Sequence, residues 1–168
     1  MKHLYLIGGT MGIGKTTAGK IMKNMLNHSV FLDGDWCWDM NPFQVTDETK
    51  KMVMKNICCL LQNFLSCSAC EHVIFCWVLH EQDIIQEILD HLDCRDVSVH
   101  KISLICTPGK LRERLEKDVE QGIRSPGIFE RSLARIPLYE KLDTLKICVS
   151  ELTPQETAEK ILQVCNIE

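Results

Sequence analysis

Short apolar runs alternate with stretches of helical periodicity along the chain. Leu4-Tyr-Leu-Ile7 and Val30-Phe-Leu-Asp33 read as buried strands, and between them Ala18, Ile21, Met22, Met25 and Leu26 recur at helical spacing. A helix is predicted from about residue 47 to 66, with Val53, Ile57, Leu60, Leu61 and Phe64 on its apolar side. Val73-Ile-Phe-Cys-Trp-Val-Leu79 has no polar break, which predicts a central strand covered on both faces. Glu81 to Leu92 carries Ile84, Ile85, Ile88 and Leu89 at helical spacing. The next strand, Val97 to Cys106, stops at Thr107-Pro-Gly, where threonine caps and proline opens a helix. Leu145-Lys-Ile-Cys-Val149 is the last strand. Thr153-Pro-Gln-Glu156 then opens the final helix as a capping box with proline in its first turn.

Five strands separated by helices predict an α/β protein with three layers, α/β/α, around a five-stranded parallel sheet. No repeat or linker interrupts the pattern, so residues 1–168 are expected to form a single domain. Ligands in such folds bind beyond the carboxyl ends of the strands. The residues just after Ile7, Leu32, Leu79 and Cys106 are therefore the functional candidates.

Gly9-Thr-Met-Gly-Ile-Gly-Lys-Thr16 stands at the first of these positions and fits G-x-x-x-x-G-K-[ST], a phosphate-binding loop. Gly9, Thr10, Met11, Gly12, Ile13 and Gly14 bring consecutive backbone N–H groups onto one anion at a helix N-terminus. Lys15 reaches the β- and γ-phosphates and the Thr16 hydroxyl ligates Mg²⁺; Thr17 completes the expected nucleotide-binding set. The second strand ends in Asp33-Gly-Asp35, whose carboxylates point the same way. One suits Mg²⁺ through water, and the other suits proton removal from a substrate hydroxyl. Trp36 and Trp38, with Met40 and Phe43, either line an apolar substrate pocket or belong to the core. His80, after the third apolar strand, either touches substrate or caps the following helix.

Charge and composition narrow the picture. Hydrophobic residues make up 45 % and charged residues 25 %, an ordinary globular balance, and the net charge of −4 argues against unspecific nucleic-acid binding. No apolar run reaches the roughly 20 residues that span a bilayer, and the N-terminus enters a strand at once, so a cytoplasmic protein without a signal peptide is expected. Most of the ten cysteines, including Cys58, Cys59, Cys76, Cys106, Cys148 and Cys165, lie in apolar periodic runs and are expected to act as small hydrophobes. Cys67-Ser-Ala-Cys70 has no second pair to complete a four-ligand zinc site. Five of the six arginines fall between positions 112 and 135: Arg112, Arg114, Arg124, Arg131 and Arg135. Gly122-Ile-Arg-Ser-Pro-Gly127 breaks two helical patterns there, and a lid over about 119–131 is predicted, with Arg124 aimed at a transferring phosphoryl group.

Taken in order, these constellations resemble the small P-loop kinases, the group holding shikimate kinase, gluconate kinase, adenylate kinase and chloramphenicol phosphotransferase. The resemblance covers nearly the whole chain. It implies ATP and Mg²⁺ as cofactors, Mg²⁺ contact for Thr16 and Asp33, and base or substrate duty for Asp35. It also implies Arg114 against the adenine and a lid that carries Arg124; the residues themselves add Lys15 and Arg124 in catalysis and Trp36, Trp38 and His80 on the acceptor side. The expected activity is transfer of the γ-phosphoryl group of ATP to a hydroxyl of a small molecule. The interval from Trp36 to Leu79 lacks arginine, which favours an uncharged acceptor. A nucleoside or nucleotide kinase is the nearest alternative. A nucleotide-binding regulator without phosphotransfer is the alternative of another class, although no Asn-Lys-x-Asp guanine reader is present. The expected partners are a nucleoside triphosphate and the hydroxyl acceptor, with no nucleic acid or membrane, and a monomer or homodimer is expected.

Overall fold

The computed structural model describes residues 1–166; positions 167 and 168 of the predicted domain lie outside the described residues. The elements are β1 (Lys2–Gly8), α1 (Lys15–Met25), β2 (Ser29–Asp33), a 3-10 segment (Gly34–Trp38), α2 (Asp47–Ser66), β3 (His72–Cys76) and α3 (Gln82–Asp90). They continue with β4 (Val97–Ile105), α4 (Pro108–Glu120), α5 (Ile128–Glu140), β5 (Leu145–Cys148) and α6 (Pro154–Val164). The strands form one sheet in the order β2-β3-β1-β4-β5, and every neighbouring pair is parallel. The α/β class and the five-stranded parallel sheet are those the pattern predicts.

The two-residue period of β1 explains the layers. Tyr5 and Ile7 pack in one core with Ala18, Met22, Leu111, Leu115 and Ile161, whereas Leu4 and Leu6 pack in the other with Val53, Ile57, Leu61, Ile85 and Ile88. Because both faces are covered, the strand is apolar at successive positions. The helix ends follow local chemistry. Thr46 and Thr49 form a reciprocal box at the start of α2. Thr107 accepts from the Lys110 N–H and is followed by Pro108. Thr153 and Glu156 form the capping box of α6. At the amino ends of the strands, the rings of His3, His72, His100 and Tyr5 stack across β3, β1 and β4.

Four details depart from expectation. The predicted strand through Leu79 stops at Cys76, and Leu79 takes a left-handed φ of 38°. Trp77 and Val78 still bond to Ile7 and Gly9 at the start of the phosphate loop, and the central strand is β1, with β3 beside it. Met25 and Leu60, assigned to apolar helix faces, are 43 % and 37 % exposed, while Leu65 takes a buried place under α2 beside Cys58, which is buried as expected. Cys59 and Cys148 are exposed, and all ten cysteines are free thiols. The predicted lid of 119–131 shrinks to the connection between Glu120 and Ile128, because α4 and α5 claim its two ends. No helix among the described residues is long and apolar enough to cross a membrane.

Candidate active site

Residues 9–14 turn from β1 into α1, and Gly9, Gly12 and Gly14 take the left-handed conformations that side chains resist. Gly12 has a φ of +82°, and a Cβ there would lie 2.5 Å from Leu115 Cδ2. Gly14, at φ +102°, is the residue before α1 and its missing Cβ faces open space. Ala18 N–H donates to the Gly14 carbonyl at 3.0 Å, the first bond of the helix, so the N–H groups of residues 15–17 have no partner within it and stand at its positive end. Lys15 curls over the loop and donates to the Thr10 carbonyl at 3.0 Å. Burial lowers its pKa, and the nearby Cys76, Asp35 and Asp33 act in the opposite direction.

The loop and the second strand end meet at an oxygen pair. Thr16 Oγ1 donates to Asp33 Oδ2 at 2.6 Å, and Asp33 is 6 % exposed. The other Asp33 oxygen accepts the Asp35 N–H at 3.0 Å, which starts the 3-10 segment. A hydroxyl and a buried carboxylate beside an anion cradle form the hard oxygen donor set that suits Mg²⁺. Asp35 follows on the solvent side. The protein around it, and then the Asp33 charge, raise its pKa, while Lys15, the Trp77 side chain and Arg124 oppose the shift.

Trp77 was not singled out in the sequence because the predicted strand ran through it. It is the first residue beyond β3, and strand-end position was the signal that marks it. A Cβ on Gly34 would lie 2.5 Å from the Trp77 ring, so the glycine lets the indole pack beneath the Asp33–Asp35 turn. Trp36 and Trp38 do not share a wall. Trp36 is 55 % exposed and meets Phe31 edge-on, with Lys20 Nζ 5.9 Å from its ring centre. Trp38 instead packs beside the other core with Phe43, and its Nε1 donates to the Gln44 carbonyl at 3.2 Å.

Each arginine has a distinct place. Arg114 donates to the carbonyls of Ile13 at 2.9 Å and Val149 at 2.6 Å, tying the phosphate loop to the chain after β5. Its donors at the guanidinium edge are thus committed to backbone; a contact with adenine would use the flat face. Arg124 pairs with Asp118 at 2.9 Å, yet its charge still acts on both Lys15 and Asp35. Arg112 lies over Phe129, 5.7 Å from the ring centre. Arg131 reaches Met11 of the loop. Arg135, not among the sequence candidates for the site, acts on His80: burial and then this positive charge lower the His80 pKa, against Glu81. His80 Nε2 lies 3.1 Å from Glu81 Oε1, and its Nδ1 is buried without a partner. Helix α5 is anchored to the same region, with Thr10 Oγ1 donating to the Ser132 carbonyl at 2.8 Å and Tyr139 Oη to the Val78 carbonyl at 2.6 Å. Thr17 is exposed in the first turn of α1.

A parallel sheet with a phosphate-binding loop after its central strand β1 and an acid pair at the end of β2, one strand further on beyond β3, defines a P-loop nucleotide-binding fold. The family model described as an AAA domain matches residues 6–135, and the chain belongs to that family. Solved structures agree on the fold. A gluconokinase from Sinorhizobium meliloti superposes with a TM-score of 0.70 at 14 % identity, over 98 % of this chain and 91 % of its own. A tunicamycin resistance protein from Deinococcus radiodurans gives 0.68 at 18 % identity, over 100 % and 98 %. A shikimate kinase from Aquifex aeolicus gives 0.62 at 18 % identity, over 98 % and 96 %. No curated protein sequence matches the chain significantly.

Proposed function

We propose that the protein is a kinase that moves the γ-phosphoryl group of ATP onto a hydroxyl of a small molecule. The observation that carries this reading is the junction of Thr16, Asp33 and Asp35. A phosphate loop alone serves any nucleotide-binding protein, whereas a carboxylate of raised pKa next to the loop's threonine–aspartate pair is what a hydroxyl acceptor needs. Gluconokinase and shikimate kinase, among the proteins of this fold, are named for such acceptors.

Each side chain then has a task. Lys15 and the backbone N–H groups from Gly14 to Thr17, at the end of the loop and the start of α1, hold the phosphates. Thr16 and Asp33 hold Mg²⁺, which when bound offsets the charge of the β- and γ-phosphate oxygens. Asp35 orients the acceptor hydroxyl and takes its proton. Arg124, released from Asp118 or still paired with it, offsets charge on the transferring group, and Arg114 supports the adenine with its flat face. Trp36 and His80 bound the acceptor side, whereas Trp38, expected beside them, packs against the α2-side core with Phe43 and is left out of the pocket. Most of the acceleration comes from positioning and electrostatics.

The test is nucleotide consumption with Mg²⁺ against a panel of hydroxyl metabolites, nucleosides and antibiotics. Hydroxy acids belong in the panel because Arg135 lends positive charge beside His80. Acceptor-dependent turnover is expected, and Asp35→Asn is expected to lower kcat by about 10²–10⁴-fold with nucleotide affinity retained. Acceptor-independent phosphate release that Asp35→Asn leaves untouched would instead support a nucleotide-binding regulator.

A further inference from the structure

The Cys67-Ser-Ala-Cys70 segment takes no part in the cleft. It joins α2 to β3 at the amino-terminal end of the sheet and folds as a tight turn, in which the Cys70 N–H donates to the Cys67 carbonyl at 3.1 Å. The ends of such a turn lie under about 7 Å apart at Cα, and a disulfide needs about 4.4–6.8 Å. Cys67 is exposed and Cys70 half-buried, so a small reagent has access.

The turn is held on both sides. Lys2 Nζ also donates to the Cys67 carbonyl. The N–H groups of Glu71 and His72 both donate to the His28 carbonyl, at 2.7 and 3.2 Å, and the His3 N–H donates to the Glu71 carbonyl at 2.8 Å. Closing an S–S bond across this turn therefore asks for little backbone movement. A metal role lacks ligands, since no group of three or more His, Cys, Asp or Glu side chains among the described residues is arranged to hold an ion.

We infer that Cys67 and Cys70 form a redox-active dithiol whose oxidant is a low-molecular-weight disulfide of the glutathione class. The thiolate of Cys67 attacks one sulfur of the small disulfide, forming a mixed disulfide and expelling one small thiolate. Cys70 gives up its proton and attacks the Cys67 sulfur, closing the Cys67–Cys70 bond and expelling the second small thiolate. Two electrons pass from the protein dithiol to the small disulfide, and the two protons end on the two released thiols. Lys2 favours the Cys70 thiolate, while burial and then Cys67 act against it. Cys67, at the open end of the pair, is accordingly the attacking group and Cys70 the resolving one.

The experiment equilibrates the whole protein in glutathione buffers of rising oxidised fraction, quenches with acid, alkylates the remaining thiols and digests with chymotrypsin. Cleavage after Leu65 and Phe75 isolates a peptide whose cysteines are Cys67 and Cys70 alone. The expected result is loss of two hydrogens from that peptide, with neither of its thiols alkylated, reversed by dithiothreitol. Cys67→Ser and Cys70→Ser should each instead retain one glutathione on the surviving thiol. A peptide that stays a dithiol in fully oxidised glutathione, that carries two glutathiones, or whose cysteines pair elsewhere overturns the inference.

Discussion

Asp35 sits where the surrounding protein and the Asp33 carboxylate raise its pKa, with Lys15, Trp77 and Arg124 pulling the other way. A base works only when ionised, so turnover should fall with acid at a pH above the ordinary aspartate value of about 3.9. The pH profile of kcat/KM with a working acceptor measures this. The same shift has a sign for stability. Folded Asp35 holds its proton more tightly than the unfolded chain does, so stability declines as pH rises from the unfolded value through the raised one. Asp35→Asn should therefore melt higher than the parent at neutral pH and no higher well below the ordinary aspartate value. A variant that melts lower at neutral pH would contradict the shift. At this scale the sequence was legible wherever a residue type and a strand end coincided, as at Lys15, Thr16, Asp33 and Asp35. Trp77 and Arg135 were not. Trp77 looked like the continuation of an apolar strand, and Arg135 comes to His80 from a helix 55 positions away in sequence, which spacing alone cannot place.

Between elements, single side chains serve as ties. Arg114 of α4 bonds the carbonyls of Ile13 and Val149, before α1 and after β5. Arg114→Ala leaves those acceptors without their charged donor and should cost about 1–3 kcal/mol of stability. Nucleotide affinity should drop with it, because the loop loses its anchor; chemical denaturation and nucleotide titration measure the two effects. A second tie crosses three strands. His3 Nδ1 lies 3.2 Å from His100 Nε2, and Tyr5 Oη lies 3.1 Å from His72 Nδ1. Burial lowers all three histidine pKa values. The amino terminus adds to this at His3 and His72, and the other imidazoles add to it at His72 and His100; Glu71 opposes it at His72. When His3 and His100 are both protonated, neither ring nitrogen of the pair can accept. Lowered folded pKa values mean that the unfolded chain binds more protons. Stability present at neutral pH should therefore be lost as pH falls from about 6.5 towards the folded values. Thermal melts across that range should show the loss, and His100→Phe should flatten it. The capping boxes and the helix bounds were legible because they depend on neighbours in sequence. The stack was not, because it depends on strand register.

For the whole molecule, nucleotide binding and folding are linked. A ligand at about 100 times its Kd adds about 2.7 kcal/mol to the folded state. Mg²⁺ with ATP should raise the melting temperature of the parent and leave that of Lys15→Ala nearly unmoved; equal shifts in both would remove Lys15 from the nucleotide site. The alternation of apolar runs and helical periods by itself determined the α/β class, the five strands and the position of the phosphate loop. These follow from local periodicity, turn chemistry and the need to bury both faces of a parallel sheet. Tertiary structure alone decided that β1 is central, that β3 ends early beneath Gly34, and that Trp36 stays exposed against Phe31 while Trp38 packs on the α2-side core. It also decided that α5 docks on Thr10 and Val78. Those outcomes depend on contacts between segments far apart in the chain, and a linear pattern carries the period of each segment but not its partner.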